Sequence, residues 1–255
     1  VSNDSKHFAP WEKWRSKLIP VSQVKEDPPK WVLPGLLPPG ATLFAGEAKT
    51  LKSTLMLAIA GALADHHPVP GFTYQKKAVV ASERRTVVYI AYEQSAGRLK
   101  VAYQKRIIKR RLKPKETNLV FVKAPFKWQV DDPIDGCDIT QLILELNPIL
   151  TIVDPLVLAH SQDENDPRMI RPFIPVREAA LKRGSALAFV HHMNKGGDDG
   201  GRSNARASFS RVRGTSALWG MMDAGHLVTK SPSGGLYYTS EFKDFPARQW
   251  TWRKP

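Results

Sequence analysis

Short apolar runs separated by polar or helix-forming stretches recur along the chain. Thr42–Ala45 is apolar, and after a polar stretch an apolar helical pattern follows at Leu55–Ala64. Pro68–Gly71 marks a turn. Thr86–Ala91 (Thr-Val-Val-Tyr-Ile-Ala) lacks polar alternation, as in a parallel strand covered on both faces. A basic helix is predicted over Ala96–Leu112, ended by Pro114; Leu119–Val122 reads as a short strand and Ile139–Leu146 as a helix. Ile149–Val153 is another buried strand, stopping at Asp154. Arg168–Arg183 has a helical pattern, with Pro172 and Pro175 bending it or delaying its start. Ser185–Val190 is the next strand, closed by His191 and His192. Gly225–Lys230, Leu236–Phe242 and Arg248–Trp252 read as antiparallel strands, the first two joined by the turn Ser231–Gly235. The alternation predicts an α/β fold: a mostly parallel sheet, helices on both faces, and antiparallel strands at the C-terminal edge.

The 255 residues, 42% hydrophobic and 24% charged, suffice for one α/β domain, expected over 31–255. Residues 1–30 read as an arm, with Trp11, Trp14 and Leu18 at helix-like spacing, packing on its own domain or on a neighbouring subunit. Trp31–Gly40, rich in Pro and Gly, leads into the domain. No apolar run is long enough to span a bilayer, and Val1–Pro10 lacks the apolar core of a signal peptide. Cys137 is the single cysteine, which excludes an internal disulfide or a thiolate metal cluster. A cytoplasmic location is the expectation. No internal repeat is seen.

Charge changes the picture. Lys and Arg number 38 against 24 Asp and Glu, a formal charge of +14. Arg98–Lys115 holds nine basic residues and no acid, and Arg202–Arg213 four arginines and no acid. Acids gather at Asp131–Asp138 and Asp163–Asp166. Such segregation suggests a polyanion-binding surface, nucleic acid being the commonest partner.

Residues 46–54, Gly46-Glu47-Ala48-Lys49-Thr50-Leu51-Lys52-Ser53-Thr54, join the first apolar run to the first helical pattern. A strand, tight turn and helix beginning at Lys52-Ser53 form a phosphate cradle, with backbone N–H groups and the helix dipole facing the anion. Lys52 would neutralise phosphate oxygens and the Ser53 hydroxyl would bind Mg²⁺. Leu51 stands where the usual pattern has its second glycine. Asp154, at the end of an apolar strand, is the expected Mg²⁺-holding carboxylate, and Glu93, after Thr86–Ala91, the group that polarises the attacking water. In a doubly wound sheet such residues gather at the carboxyl ends of strands. His191 and His192 point to opposite faces and cannot chelate one ion; His192 is taken to face the nucleotide and His191 the core.

Gly-Glu-Ala-Lys-Thr-Leu-Lys-Ser, Tyr-Ile-Ala-Tyr-Glu, Thr-Ile-Val-Asp, Phe-Val-His-His-Met-Asn-Lys-Gly and Arg-Gly-Thr-Ser-Ala occur in that order. From about Trp31 to Trp252 the chain resembles the RecA/DnaB-like ATPases, most closely the RepA-type replicative helicases of plasmids and phages. The resemblance implies a RecA-like core, phosphate binding by Lys52, Mg²⁺ coordination by Ser53 and Asp154, catalysis by Glu93 and γ-phosphate sensing by His192. It implies a hexameric ring in which single-stranded DNA (RNA not excluded) meets the loop Gly196–Arg211, with Lys195, Arg202, Arg206 and Arg211 as phosphate contacts. The acidic loop Ser161–Pro167 would instead pair with a neighbour's basic helix. A cation from the adjacent subunit would complete each site; Arg213, Lys243 and Arg248 qualify, Arg213 and Lys243 being preferred. An ATP-driven helicase or translocase in replication of a plasmid, phage or mobile element is the first expectation. A RecA-like loader or regulator, and a basic nucleic-acid-binding module with a degenerate nucleotide site, remain as alternatives.

Overall fold

The computed structural model describes residues 15, 17–24, 30–47, 50–109, 117–122, 129–193, 212, 216–230, 236–244, 246 and 248–252. Its centre is an eight-stranded sheet. The strands are β1 (Gly40–Gly46), β4 (Val87–Ala91), β5 (Leu119–Phe121), β6 (Leu150–Asp154), β7 (Ala186–His192), β8 (Ala224–Lys230), β9 (Leu236–Phe242) and β10 (Arg248–Trp252). Their spatial order is β10-β9-β8-β1-β7-β6-β4-β5. β5, β4, β6, β7, β1 and β8 run parallel, and β9 and β10 add antiparallel pairs at one edge. A small separate hairpin pairs β2 (Thr73–Tyr74) with β3 (Lys77–Ala78). This is the α/β, RecA-like arrangement expected, and the three late strands pair antiparallel in turn. β8 also pairs parallel with β1, Thr42 opposite Ala224.

Two apolar layers cover the sheet. Helices α1 (Lys52–Ala64) and α2 (Ala96–Lys109) pack Leu55, Met56, Ile59, Leu99 and Tyr103 against Phe44, Tyr89, Ile152 and Val190. Helices α3 (Pro133–Leu146), α4 (Phe173–Lys182) and the short α5 (Ser216–Met221) pack Ile139, Ile143, Phe173, Val176 and Leu218 against Leu43, Val88, Val153 and Phe189 on the other face. The interior strands read as unbroken apolar runs because successive side chains enter opposite layers, both dry.

Several boundaries move for local reasons. α3 starts at Pro133, earlier than the apolar pattern suggests, because Pro suits the first helical position and Asp132 accepts the Ile134 N–H at 2.9 Å. Arg168–Arg183 is not one helix: a 3₁₀ turn at Pro167–Ile170 precedes α4. Pro175 lies in the first turn of α4, where its missing N–H had no helical acceptor to lose. β7 extends through His191 and His192. The lead-in segment is held by His226, which is fully buried and whose Nε2 donates to the Leu36 carbonyl at 2.8 Å. Burial pushes this imidazole down to about 4, so it is neutral. In the arm, Leu18, Ile19, Val21 and Val24 are exposed; Trp11 and Trp14 lie outside the described residues. No helix among the described residues is long and apolar enough to cross a membrane.

Candidate nucleotide site

The carboxyl ends of the parallel strands form one rim. Gly46 closes β1, and its register partner across β7 is His192. Ala91, closing β4, is opposite Asp154, closing β6. Ser53, Ala91, Glu93, Gln94, Leu99 and Asp154 line a single small cleft there. Along β6 and β7, Ile152 and Val190 point into the layer that holds α1. Two-residue periodicity sends Asp154 and His192 to that same face. His191 turns the other way: it is buried, its Nδ1 3.9 Å from Glu164 Oε1.

The loop between β1 and α1 is tightly made. At Gly46 a Cβ would meet the Val228 carbonyl oxygen at 2.5 Å, so only glycine fits this crossing. The Thr50 hydroxyl donates to the Glu47 carbonyl at 2.8 Å. Leu51, ahead of α1, has φ 61° and ψ 23°, in the left-handed region. The usual glycine at this position is thereby explained, and so is the tolerance for leucine: its side chain is 42% exposed and its Cβ carries no second branch. The first turn of α1 has no side-chain cap, leaving its N–H donors directed at the loop mouth.

Lys52 is buried on this loop, its ammonium donating to the Gly46 and Glu47 carbonyls, each at 2.8 Å. Burial lowers its pKa to about 8, against the opposing charges of Asp154, Glu93 and Glu47. Asp154, also buried, accepts the Tyr89 hydroxyl at 2.6 Å. Burial raises its pKa despite hydrogen bonds from Tyr89 and Ser53, and the charge of Glu93 adds to the rise while Lys52 opposes it. The rim thus concentrates a desolvated cation beside two carboxylates that repel one another, all on one polar cleft. Such a place suits a phosphate chain with a divalent cation. Ser53 and Asp154 supply hard oxygen donors side by side, the sparse protein set on which Mg²⁺ binds jointly with substrate phosphates.

Glu47, Thr50, Leu51, Lys52, Ser53 and Thr54 are therefore all at the loop and helix start, and Glu93, Asp154 and His192 share their rim. Ala48, Lys49, Lys195, Arg202, Arg206, Arg211 and Arg213 lie outside the described residues, as does the side chain of Arg248. Lys243 is at the opposite rim of its own chain, its backbone N–H bonded to the Asp223 carbonyl and its amine 3.1 Å from the Gly220 carbonyl. The acids of the loop 161–167 have neighbours within their own chain. Glu164 approaches His191, and Asp166 caps the Pro167–Ile170 turn and pairs with Arg168. Sequence reasoning gives Tyr89 no role; a tyrosine inside a Val/Ile strand needs a buried partner for its hydroxyl, and that requirement is the signal that points to it.

A family model described as an AAA domain matches residues 15–198, more than half of the chain. No curated protein matches it.

Proposed function

We propose that this chain, which belongs to the AAA domain family of P-loop ATPases, is an ATP-driven translocase that moves on single-stranded DNA as a ring. The observation that carries the ATPase part is the gathering of Lys52, Ser53, Glu93 and Asp154 on one rim, with His192 directed to the same face. In this reading Lys52 neutralises the β- and γ-phosphate oxygens, and the uncapped first turn of α1 receives them through backbone N–H groups. Glu93, two residues past the end of β4, orients the attacking water. His192 senses the γ-phosphate from the neighbouring strand. Ser53 and Asp154 would hold Mg²⁺, which spreads the charge developing on the transferred phosphoryl group. Tyr89 fixes the Asp154 carboxylate by its hydrogen bond.

Support for the nucleic-acid partner comes from the sequence: a formal charge of +14 with its sign segregated, and arginines Arg202, Arg206 and Arg211 in a glycine-rich stretch following β7. The resemblance to RepA-type helicases of plasmids and phages supports a replicative role and six subunits, with Arg213 or Lys243 reaching a neighbour's site. The test is phosphate release with and without single-stranded DNA, together with displacement of one strand from a forked duplex. Stimulation and unwinding are expected, both lost in Lys52→Ala; in Arg206→Glu with Arg211→Glu, DNA binding is lost and basal hydrolysis persists. Hydrolysis indifferent to single strands would sink the translocase and leave an ATPase with another output.

A further inference from the structure

Two helices carry amphipathic stripes of opposite charge. On α2, Gly97, Arg98, Val101, Ala102 and Lys105 line one shallow groove, spaced as a single helix face, with Val101 51% exposed at its centre. On α3, Asp138, Gln141, Leu142, Glu145 and Leu146 line another. Its apolar content is exposed as well: Leu146 is 46% accessible, and Ile134, one turn upstream of Asp138, is 73% accessible. On α2 the exposed Val101 sits between Arg98 and Lys105; on α3 the exposed Ile134 and Leu146 lie on either side of Asp138 and Glu145.

Their placement limits how they can meet. α2 is rooted by Leu99 and Tyr103 in one core layer, and α3 by Ile139 and Ile143 in the other, so the stripes lie on opposite faces of the sheet. They cannot touch within one chain. A two-fold interface joins one patch to its own copy, and stripes on opposite faces of the sheet cannot both belong to one patch. A head-to-tail contact, the kind that propagates into rings, has neither difficulty.

We propose that the basic stripe of α2 docks on the acidic stripe of α3 in a second copy of this chain. The inference rests on the ring reading above and names the surfaces that build it. Exposed Ile134, Val101 and Leu146 would be covered, and the four charges would pair across the junction. Because α2 begins three residues after Glu93, the contact also borders the rim where hydrolysis is proposed. The apolar centre of the α2 groove distinguishes it from a surface made only for phosphates.

The test is charge reversal read by sedimentation velocity at low salt, with a non-hydrolysable ATP analogue. Arg98→Glu with Lys105→Glu makes both stripes acidic; Asp138→Lys with Glu145→Lys makes both basic. Each variant alone is expected to sediment as a monomer, whereas an equimolar mixture re-forms the assembly, since each stripe again meets its opposite. A chain carrying all four reversals assembles by itself. If the unaltered protein assembles and neither variant changes its mass, these surfaces are wrong while the ring stands. Should the Arg98→Glu, Lys105→Glu variant lose DNA binding without any change in mass, α2 is assigned to nucleic acid and the proposal is overturned. An unaltered protein that stays monomeric overturns the ring and this contact together. Restored assembly without strand displacement leaves this contact intact and removes only the helicase reading.

Discussion

The two rims of the central sheet both carry charge, yet they handle it in opposite ways. At the amino-terminal rim, Arg177 of α4 grips Asp223 through two nitrogens, and the same carboxylate accepts the Ala41 N–H at 2.8 Å. Nearby, Arg85 reaches Asn147 Oδ1 at 2.9 Å and the Arg183 and Gly184 carbonyls at 3.0 Å. Hydrogen bonding to Asp223 raises the Arg177 pKa, so its charge is more at ease in the fold than in water. At the carboxyl-terminal rim Lys52 is driven down and Asp154 driven up, each chiefly by burial. The charge of Arg177 is favoured by its partner, whereas those of Lys52 and Asp154 are opposed by burial despite their hydrogen bonds.

The sharpest break of this contrast is a matched pair of isosteric changes. Asp154→Asn keeps an acceptor for Tyr89 and Ser53 but removes the carboxylate, and turnover is expected to fall by about a hundredfold or more with folding stability unchanged or slightly raised. Asp223→Asn should do the reverse: about 3 kcal/mol lost in urea unfolding, because Arg177 loses its partner, with turnover per folded molecule intact. Unfolding of the first variant, or loss of turnover without instability in the second, would show that the rims are not divided in this way.

The pH dependence sharpens it further. Since Lys52 titrates near about 8 in the fold against 10.5 as a free side chain, the folded protein releases its proton first. Between those values the unfolded chain holds more protons, so the unliganded protein gains stability as pH rises through this window. Nucleotide binding runs the other way. Phosphates favour the ammonium, so affinity should decline above about pH 8 by up to about tenfold per unit. Calorimetry a little above that pH, in two buffers of different ionisation enthalpy, should give different heats; identical heats would mean no proton uptake.

The smallest effect belongs to Leu51. Leu51→Gly relieves a left-handed leucine and should raise stability by at most about 1 kcal/mol in thermal unfolding, the gain being reduced by glycine's freer unfolded chain. Leu51→Val, branched at Cβ, should lower it. Equal stability of all three would mean the loop does not hold this conformation.

Much of this architecture can be read from the chain. Strands such as Thr86–Ala91 and Ile149–Val153 are visible because burial on both faces removes polar alternation. The rule that parallel strands direct their carboxyl ends to a common cleft then brings Glu93 and Asp154 near the Lys52 loop. Strand direction is not written locally, which is why the pattern shows the antiparallel pairing of β8 with β9 but not its second pairing. Its parallel pairing with β1 depends on a long crossover from β7, where α5 is only a brief helix of six residues. The hairpin of β2 and β3 turns at Gln75 and Lys76, both at positive φ, with none of the Asn-Gly chemistry that usually announces such a turn. The start of α3 is legible in principle from Asp132-Pro133, but the acids around that pair mask a cap as one more charge in a cluster.

The adjacent histidines of β7 carry one last implication. A slip of one residue in the pairing of β7 with β1 would exchange them, sending His191 to the side of α1 and His192 into the layer beside Glu164. The same slip would turn Phe189 and Leu187 out of their layer and push Val190 and Ala188 into it. Misalignment at the carboxyl-end rim therefore wrecks both cores at once, and the strand's alignment is guarded by packing far below that rim.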